Sequence, residues 1–419
     1  MNVPNSSVPP SVEMASPSTR ILATVLEDRH GYGGGNDCIT VIRCNGTLFY
    51  VDLSPVFICD SPLTLARYIK FMSCVRDAYP WGDFDDEDPA QTRKHPEEIL
   101  QDFHAWLITA LQPLFLRLVP TLPPSFDPSK LATGEAHPLL SEYLFPDQQY
   151  CRLEVDHETP IPIHLPDEED RWTVTALNTI SPELTHSLRE QHIPFLDAST
   201  IQVSFRQPSH ALSRQPTRVL ADLTGTGEHQ KTTCFLKTFA VNGHESLPSQ
   251  LTAHLRILQS PLSATARVPR LLGVVTTPSP TDSVFTEDCI AGILLTYIPG
   301  RRENEGILSE YTLPNTPPAI REQWAEQIKE TVAQMHEAGL VWGDAQAGHV
   351  MIDQADEVWL IGMGGRNLEV EVERVLAGTK EGDLWGVRRI LGMLREVRYE
   401  PWELYGPDDD GERVLEASI

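Results

Sequence analysis

The stretch from residue 320 to residue 352 restricts this chain more than any other. A long amphipathic helix is predicted over 320–338, because Ile320, Trp324, Ile328, Val332 and Met335 recur along one face. Gly339 follows where a helix stops, since glycine closes a helix end in the left-handed conformation without steric cost. A short strand, then Asp344, then a second strand reaching Ile352 complete the run. Helix, glycine, strand, aspartate and strand in that order fit few folds.

The rest of the chain is read around that segment. Its 419 residues exceed one ordinary core and point to two or three domains. Behind a Pro- and Ser-rich disordered tail at 1–19, strands are expected over 20–27 and 39–53, the second split at Asn45-Gly46, a strong signal for a tight hairpin turn. Amphipathic helices are expected over 63–77 and 96–118, with the acidic run Asp83, Asp85, Asp86, Glu87 and Asp88 between them as a solvated loop. Together these predict an α+β N-terminal domain over 20–160. The Pro-rich, weakly periodic stretch 120–194, with strand-like pieces such as 149–155, reads as that domain's edge and a linker over 161–198. From 201 the pattern changes to strand-like runs at 201–206, 218–223 and 232–239, a helix over 248–258, and further strands. A second domain is expected over 199–400, ending near a helix at 383–398, with an acidic tail at 401–419 that includes Asp408, Asp409 and Asp410.

Composition excludes several partner classes. With 33 basic and 59 acidic residues the net charge is −26, which repels phosphate backbones and anionic lipid, so neither nucleic acid nor a membrane is an expected partner. The seven cysteines, at 38, 44, 59, 74, 151, 234 and 289, form no CxxC pair and are odd in number, unlike a disulfide or zinc framework. No signal-peptide pattern and no long apolar run is present, so a soluble, intracellular protein, cytoplasmic or nuclear, is expected. The glycines at 31, 33, 34 and 35 lack the Lys-Ser/Thr and the helix of a phosphate loop, and read as a strand connection. His336 and His349 have no carboxylate or cysteine at ligand spacing, so they do not read as a metal pair.

The segment Met335-His336-Glu337-Ala338-Gly339-Leu340-Val341-Trp342-Gly343-Asp344, followed by Ala345-Gln346-Ala347-Gly348-His349-Val350-Met351-Ile352, resembles a protein-kinase catalytic loop. It is most similar to the kinase-like proteins common in filamentous fungi, where a helix ending in Leu-His leads into a G-D-x-K-x-x-N loop and then V-L-I-D. The resemblance implies a bilobal protein-kinase-like domain, with a smaller lobe over 199–298 and a larger one over 299–400. By it, Asp344 takes the catalytic-base position, accepting a substrate hydroxyl's proton. Lys237, closing the strand-like Phe235-Leu236-Lys237, takes the phosphate-lysine position. Val268 to Val275 matches the strand after the first helix, and Ile293-Leu294-Leu295-Thr296-Tyr297-Ile298 matches the strand entering the hinge. Lys237, Leu295, Thr296 and Tyr297 would then be the nucleotide-binding positions. Asp383, in Gly382-Asp383-Leu384, would buttress the catalytic loop's backbone.

Departures from the pattern carry equal weight. The metal-binding aspartate of D-F-G falls on Gly362 in Gly362-Met363-Gly364, and the loop asparagine falls on His349. Glycine cannot ligate a metal, and magnesium prefers hard oxygen ligands to imidazole. The loop lysine is Gln346, and the glutamate that would pair with Lys237 is Gln250. No glycine lies in 207–217, where backbone amides would approach phosphates. Loss of one preorganised charge stabiliser costs on the order of 10² to 10³ in rate. The expectation is therefore a pseudokinase that binds ATP weakly or not at all, holds no magnesium and acts through a protein partner. The alternative is an active atypical phosphotransferase, for a protein or a small molecule, with metal on displaced carboxylates such as Asp353 or Asp356.

Overall fold

The computed structural model describes residues 23–30, 36–77, 96–144, 146–166, 179–205, 216–225, 231–239, 247–262, 266–277, 289–300, 306–308, 316–364, 376 and 378–396. The expected tails at 1–19 and 401–419, the glycine loop at 31–35, the acidic run at 83–88 and most of 207–217 lie outside the described residues. Among the described residues there are eight helices and several sheets, a mixed α+β composition, and the chain divides into two units.

The first unit comprises Met1–Val174 and Asp197–Ala221. Its hairpin forms where Asn45-Gly46 predicts it: β2 (Cys38–Cys44) and β3 (Thr47–Leu53) pair antiparallel across Asn45 at φ 48° and Gly46 at φ 90°. Both turn residues sit in the left-handed region that a tight hairpin requires. β1 (Ala23–His30), β2, β3, β4 (Gln148–Asp156) and β5 (Thr159–His164) form one sheet in that order. All neighbours are antiparallel except β3 and β4, which run parallel. A parallel pair needs a long crossover, and α1 (Pro62–Asp77), α2 (Pro96–Leu118), α3 (Pro128–Thr133) and α4 (Leu140–Leu144) supply it.

Alternation along β3 sends Phe49, Val51 and Leu53 into a core with Tyr68 and Phe71 of α1 and Phe103, Leu107, Leu111 and Phe115 of α2. Leu48 and Tyr50 point the other way and join Val41 in a smaller cluster. Both faces of the sheet's centre are therefore buried.

The second unit comprises Thr175–Leu196 and Asp222–Ile419. β6 (Phe195–Asp197), β10 (Leu271–Thr277), β11 (Cys289–Thr296) and β9 (Thr232–Thr238) are neighbours in that order. α6 (Leu247–Gln259) packs on this sheet through Leu247, Leu251 and Leu255, against Val274 and Ile293. A separate core surrounds α7 (Pro318–Glu337), α8 (Lys380–Glu396) and the hairpin of β12 (Val350–Ile352) and β13 (Val358–Leu360). Trp324, Ile328, Val332 and Met335 of α7 all lie in it, as their helical spacing predicts.

Two domain expectations differ from what is observed. The stretch 161–198, expected as a linker, carries the end of β5, α5 (Pro182–Glu190) and β6. Leu188 and Ile193 are buried against α6, so short elements with few apolar residues are held by tertiary packing. The second difference concerns β7 (Gln202–Val203) and β8 (Arg218–Ala221), which pair antiparallel and group with the first unit, although the resemblance assigns them to a smaller kinase lobe. The reason is local: Val203 N donates to Pro138 O at 2.8 Å, and Leu140 N donates to Ile201 O at 2.9 Å.

None of the seven cysteines is in a disulfide. Among the described residues no helix is long and apolar enough to cross a membrane.

Candidate functional site

The loop that carries Asp344 starts from the end of α7. Gly339, at φ 75°, turns the chain out of the helix, with Leu340 N donating to Met335 O at 2.8 Å and Gly339 N donating to His336 O at 3.2 Å. This paired pattern is the Schellman motif that a glycine after a helix predicts. Trp342 is fully buried, and its Nε1 donates to Ile361 O at 2.7 Å, which ties the loop to the segment entering Gly362.

Asp383, in the first turn of α8, holds the loop from beneath. Its Oδ2 accepts Trp342 N at 2.7 Å, its Oδ1 accepts Gly343 N at 2.8 Å, and His336 Nε2 lies 2.9 Å from Oδ2. The side chain is 1% exposed, so these charge-assisted bonds replace its hydration. Gly386, one turn further along α8, lets the helix approach closely: a Cβ there would collide with the Ala345 carbonyl oxygen.

Asp344 itself is 7% exposed and faces its own loop. Gln346 Nε2 donates to Asp344 Oδ1 at 3.1 Å, and His349 Nδ1 lies 3.3 Å from Oδ2 and 3.0 Å from the Asp344 carbonyl oxygen. Gln346 Nε2 also lies 3.3 Å from His349 Nδ1, so this nitrogen faces two oxygens and an amide nitrogen. Gly362 is at φ 74°, and a Cβ on it would lie 2.5 Å from His349 Cγ and Nδ1. The imidazole thus fills the space into which a residue-362 side chain would extend.

Asp344, Gln346, His349 and Gly362 converge on one point, with Asp383 beneath. That point does not fit a magnesium ion: position 362 has no donor, and an imidazole occupies the space beside it. Among the described residues no cluster of three or more His, Cys, Asp or Glu could hold a metal. The displaced carboxylates considered as substitutes are placed otherwise. Asp353 accepts Ala355 N at 2.8 Å, Glu357 N at 3.0 Å and Trp359 Nε1 at 2.9 Å, so it shapes the β12–β13 turn. Asp356 occupies the same turn at φ 61°, and its carbonyl accepts Trp324 Nε1 at 3.1 Å.

A second group gathers on β9 and α6. Lys237 lies on β9 opposite Ile293. Gln250 and His254, four residues apart on the inner face of α6, are 1% and 2% exposed. Neither Gln250 Nε2 nor His254 Nδ1 has a hydrogen-bond partner. Burial, and then the positive charge of Lys237, push the His254 imidazole down to about 4. The 362–364 segment rests on this helix: Ser249 Oγ donates to Gly364 O at 3.2 Å, and a Cβ on Gly364 would lie 2.8 Å from Ala253 Cβ.

The expected hinge residues end β11. Leu295 is 7% exposed and sits between Leu271 and Phe235 of the neighbouring strands. Thr296 N donates to Arg270 O at 3.0 Å, and Arg270 N donates to Thr296 Oγ1 at 3.0 Å, while Tyr297 follows the strand's end. His254 is the site residue that sequence reasoning missed. Its position among Leu247, Leu251 and Leu255 on the apolar face of the predicted helix was the available signal. Compared with models of known families and with curated proteins, the chain matches none.

Proposed function

We propose that the second unit is a protein-kinase-like domain without phosphotransfer activity, a pseudokinase that binds nucleotide weakly or not at all and acts through contacts with another protein. The observation that carries this reading is the His349–Gly362 contact, in which an imidazole fills the position where a D-F-G aspartate would project a metal ligand. Several features support a kinase-like origin: the Asp383 clamp on Trp342 N and Gly343 N, the Gly339 helix end before Asp344, and Lys237 on a strand next to α6. Each is a backbone or packing role, independent of catalysis. Gln250 at the position of an ion-pairing glutamate, and Gln346 at that of the loop lysine, remove charge that a transferring phosphoryl group needs.

Nucleotide titration with and without magnesium, followed by thermal unfolding, tests the reading. The expected result is little or no shift in Tm with ATP, and no additional shift on adding magnesium. A magnesium-dependent rise in Tm, with phosphate transfer abolished by Asp344→Asn, would overturn it in favour of an active atypical phosphotransferase.

A further inference from the structure

The first unit contains a buried cation that no carboxylate among the described residues pairs. Arg43 lies on β2, on the sheet face shared with Val41 and away from α1 and α2, and is 3% exposed. Its Nη1 is buried without a hydrogen-bond partner. Among the described residues no carboxylate is paired with it. The Glu142 carboxylate, on the same helix as the neighbouring Tyr143, is already engaged: Oε1 accepts Ser125 Oγ and Oε2 accepts Leu139 N, both at 2.7 Å.

Arg43 meets one ring of an aromatic cluster. Its Cζ stands 4.9 Å from the ring centroid of Tyr143, which lies 5.2 Å from Phe126 and 5.8 Å from Phe205. Burial pushes the Tyr143 phenol well above its usual range, so it stays neutral and supplies no negative charge. The same burial works against the charged form of Arg43. A guanidinium nevertheless keeps its proton in proteins, and charges taken out of water are paired. The cation–π contact with Tyr143 uses none of the guanidinium's N–H groups, whose edge matches two oxygens of one oxyanion.

We propose that the first unit binds an oxyanion, the carboxylate or phosphate group of a small molecule, against the N–H edge of Arg43 beneath Tyr143. This site is separate from the Asp344 loop and gives the N-terminal unit a ligand-dependent stability of its own.

Equilibrium urea unfolding of the full-length chain tests it in sodium phosphate, sodium acetate and sodium chloride at matched ionic strength, with Arg43→Met and Arg43→Lys alongside. Phosphate strengthens burial in any protein, so the reading is the difference between wild type and Arg43→Met. At an anion concentration of a hundred times Kd, the wild-type folded-to-unfolded ratio should rise about a hundred-fold over that of Arg43→Met. A response confined to phosphate identifies a phosphate group, and one confined to acetate a carboxylate. Equal shifts in wild type and Arg43→Met in every salt would overturn the proposal and leave Arg43 a bare buried cation. Should Arg43→Met fail to fold, Arg43→Lys, which keeps the charge without the fork, decides: an anion response at least ten-fold weaker supports the site, and an undiminished one overturns it.

Discussion

The His349 imidazole stands where a side chain on residue 362 would have to go, with ring atoms 2.5 Å from the position of a Cβ there. Asp344 holds the ring through the same Nδ1, with its carbonyl at 3.0 Å and its carboxylate at 3.3 Å. Gly362 and His349 are therefore one packing solution. Glycine at 362 is what allows histidine at 349, because any larger residue there would place a Cβ on the ring.

That coupling is measurable. Gly362→Ala places a Cβ at φ 74° against the ring, so left-handed strain of roughly 1–2 kcal/mol adds to overpacking of roughly 1–3 kcal/mol. In a His349→Ala background only the strain remains, so the cost should fall by about 1–3 kcal/mol. Urea unfolding of the four proteins gives the coupling, and additivity within about 0.5 kcal/mol would refute the contact.

Asp383 accepts the backbone N–H of Trp342, which is buried, and that of Gly343, which is half-buried, and faces His336. Asp383→Ala strands those donors and should destabilise the chain by about 3–5 kcal/mol, the range for breaking a buried charged network. Asp383→Asn keeps one acceptor oxygen and should cost less, about 1–3 kcal/mol. Denaturant unfolding of both variants checks the order, and equal costs would show that the backbone contacts do not matter.

His254 makes stability depend on pH. Its folded pKa is about 4, below its ordinary value of 6.5, because burial and Lys237 disfavour the charged ring. Between those values the unfolded chain binds a proton that the folded chain does not, so stability falls as pH drops. The contribution is complete above about pH 6.5 and lost on approaching pH 4, at up to about 1.4 kcal/mol per pH unit. His254→Leu should flatten the urea-midpoint profile between pH 7 and pH 4.5 and leave stability at pH 7 unchanged or higher, since an unpartnered nitrogen is removed. An unchanged slope would mean that other groups govern the acid limb.

In the first unit, Asn45 holds a left-handed turn position at φ 48° and donates its Nδ2 to Val119 O at 2.8 Å. Asn45→Gly removes the bond but suits the backbone, and should cost about 1 kcal/mol. Asn45→Ala loses the bond and adds strain, for about 2–3 kcal/mol. Thermal unfolding should rank alanine below glycine, and the reverse order would show that turn strain is negligible.

Features legible in the sequence are those set by residues close together in it. The hairpin turn at Asn45-Gly46, the helices α2 and α7 with their apolar faces, and the helix end at Gly339 follow from backbone preference and helical spacing within a few residues. The loop around Asp344 was readable for the same reason, since glycine, aspartate and flanking apolar residues stand in one short run. The extent of the first sheet was not. β4 is held by parallel pairing with β3, Leu48 opposite Gln148, and no local pattern announces a partner beyond four intervening helices. Residues 161–198 resemble a linker in sequence because α5 and β6 owe their order to burial of Leu188 and Ile193 against α6.

By itself, then, the sequence determined the local pieces and the chemical groups carried by the Asp344 loop, because side-chain identity and backbone preference belong to each residue alone. Tertiary structure decided what those groups became. Only folding brings His349 onto Gly362, Asp383 beneath Trp342, His254 beside Lys237 and Arg43 beneath Tyr143, because burial, close contact and charge compensation arise between residues that meet only once the chain has packed.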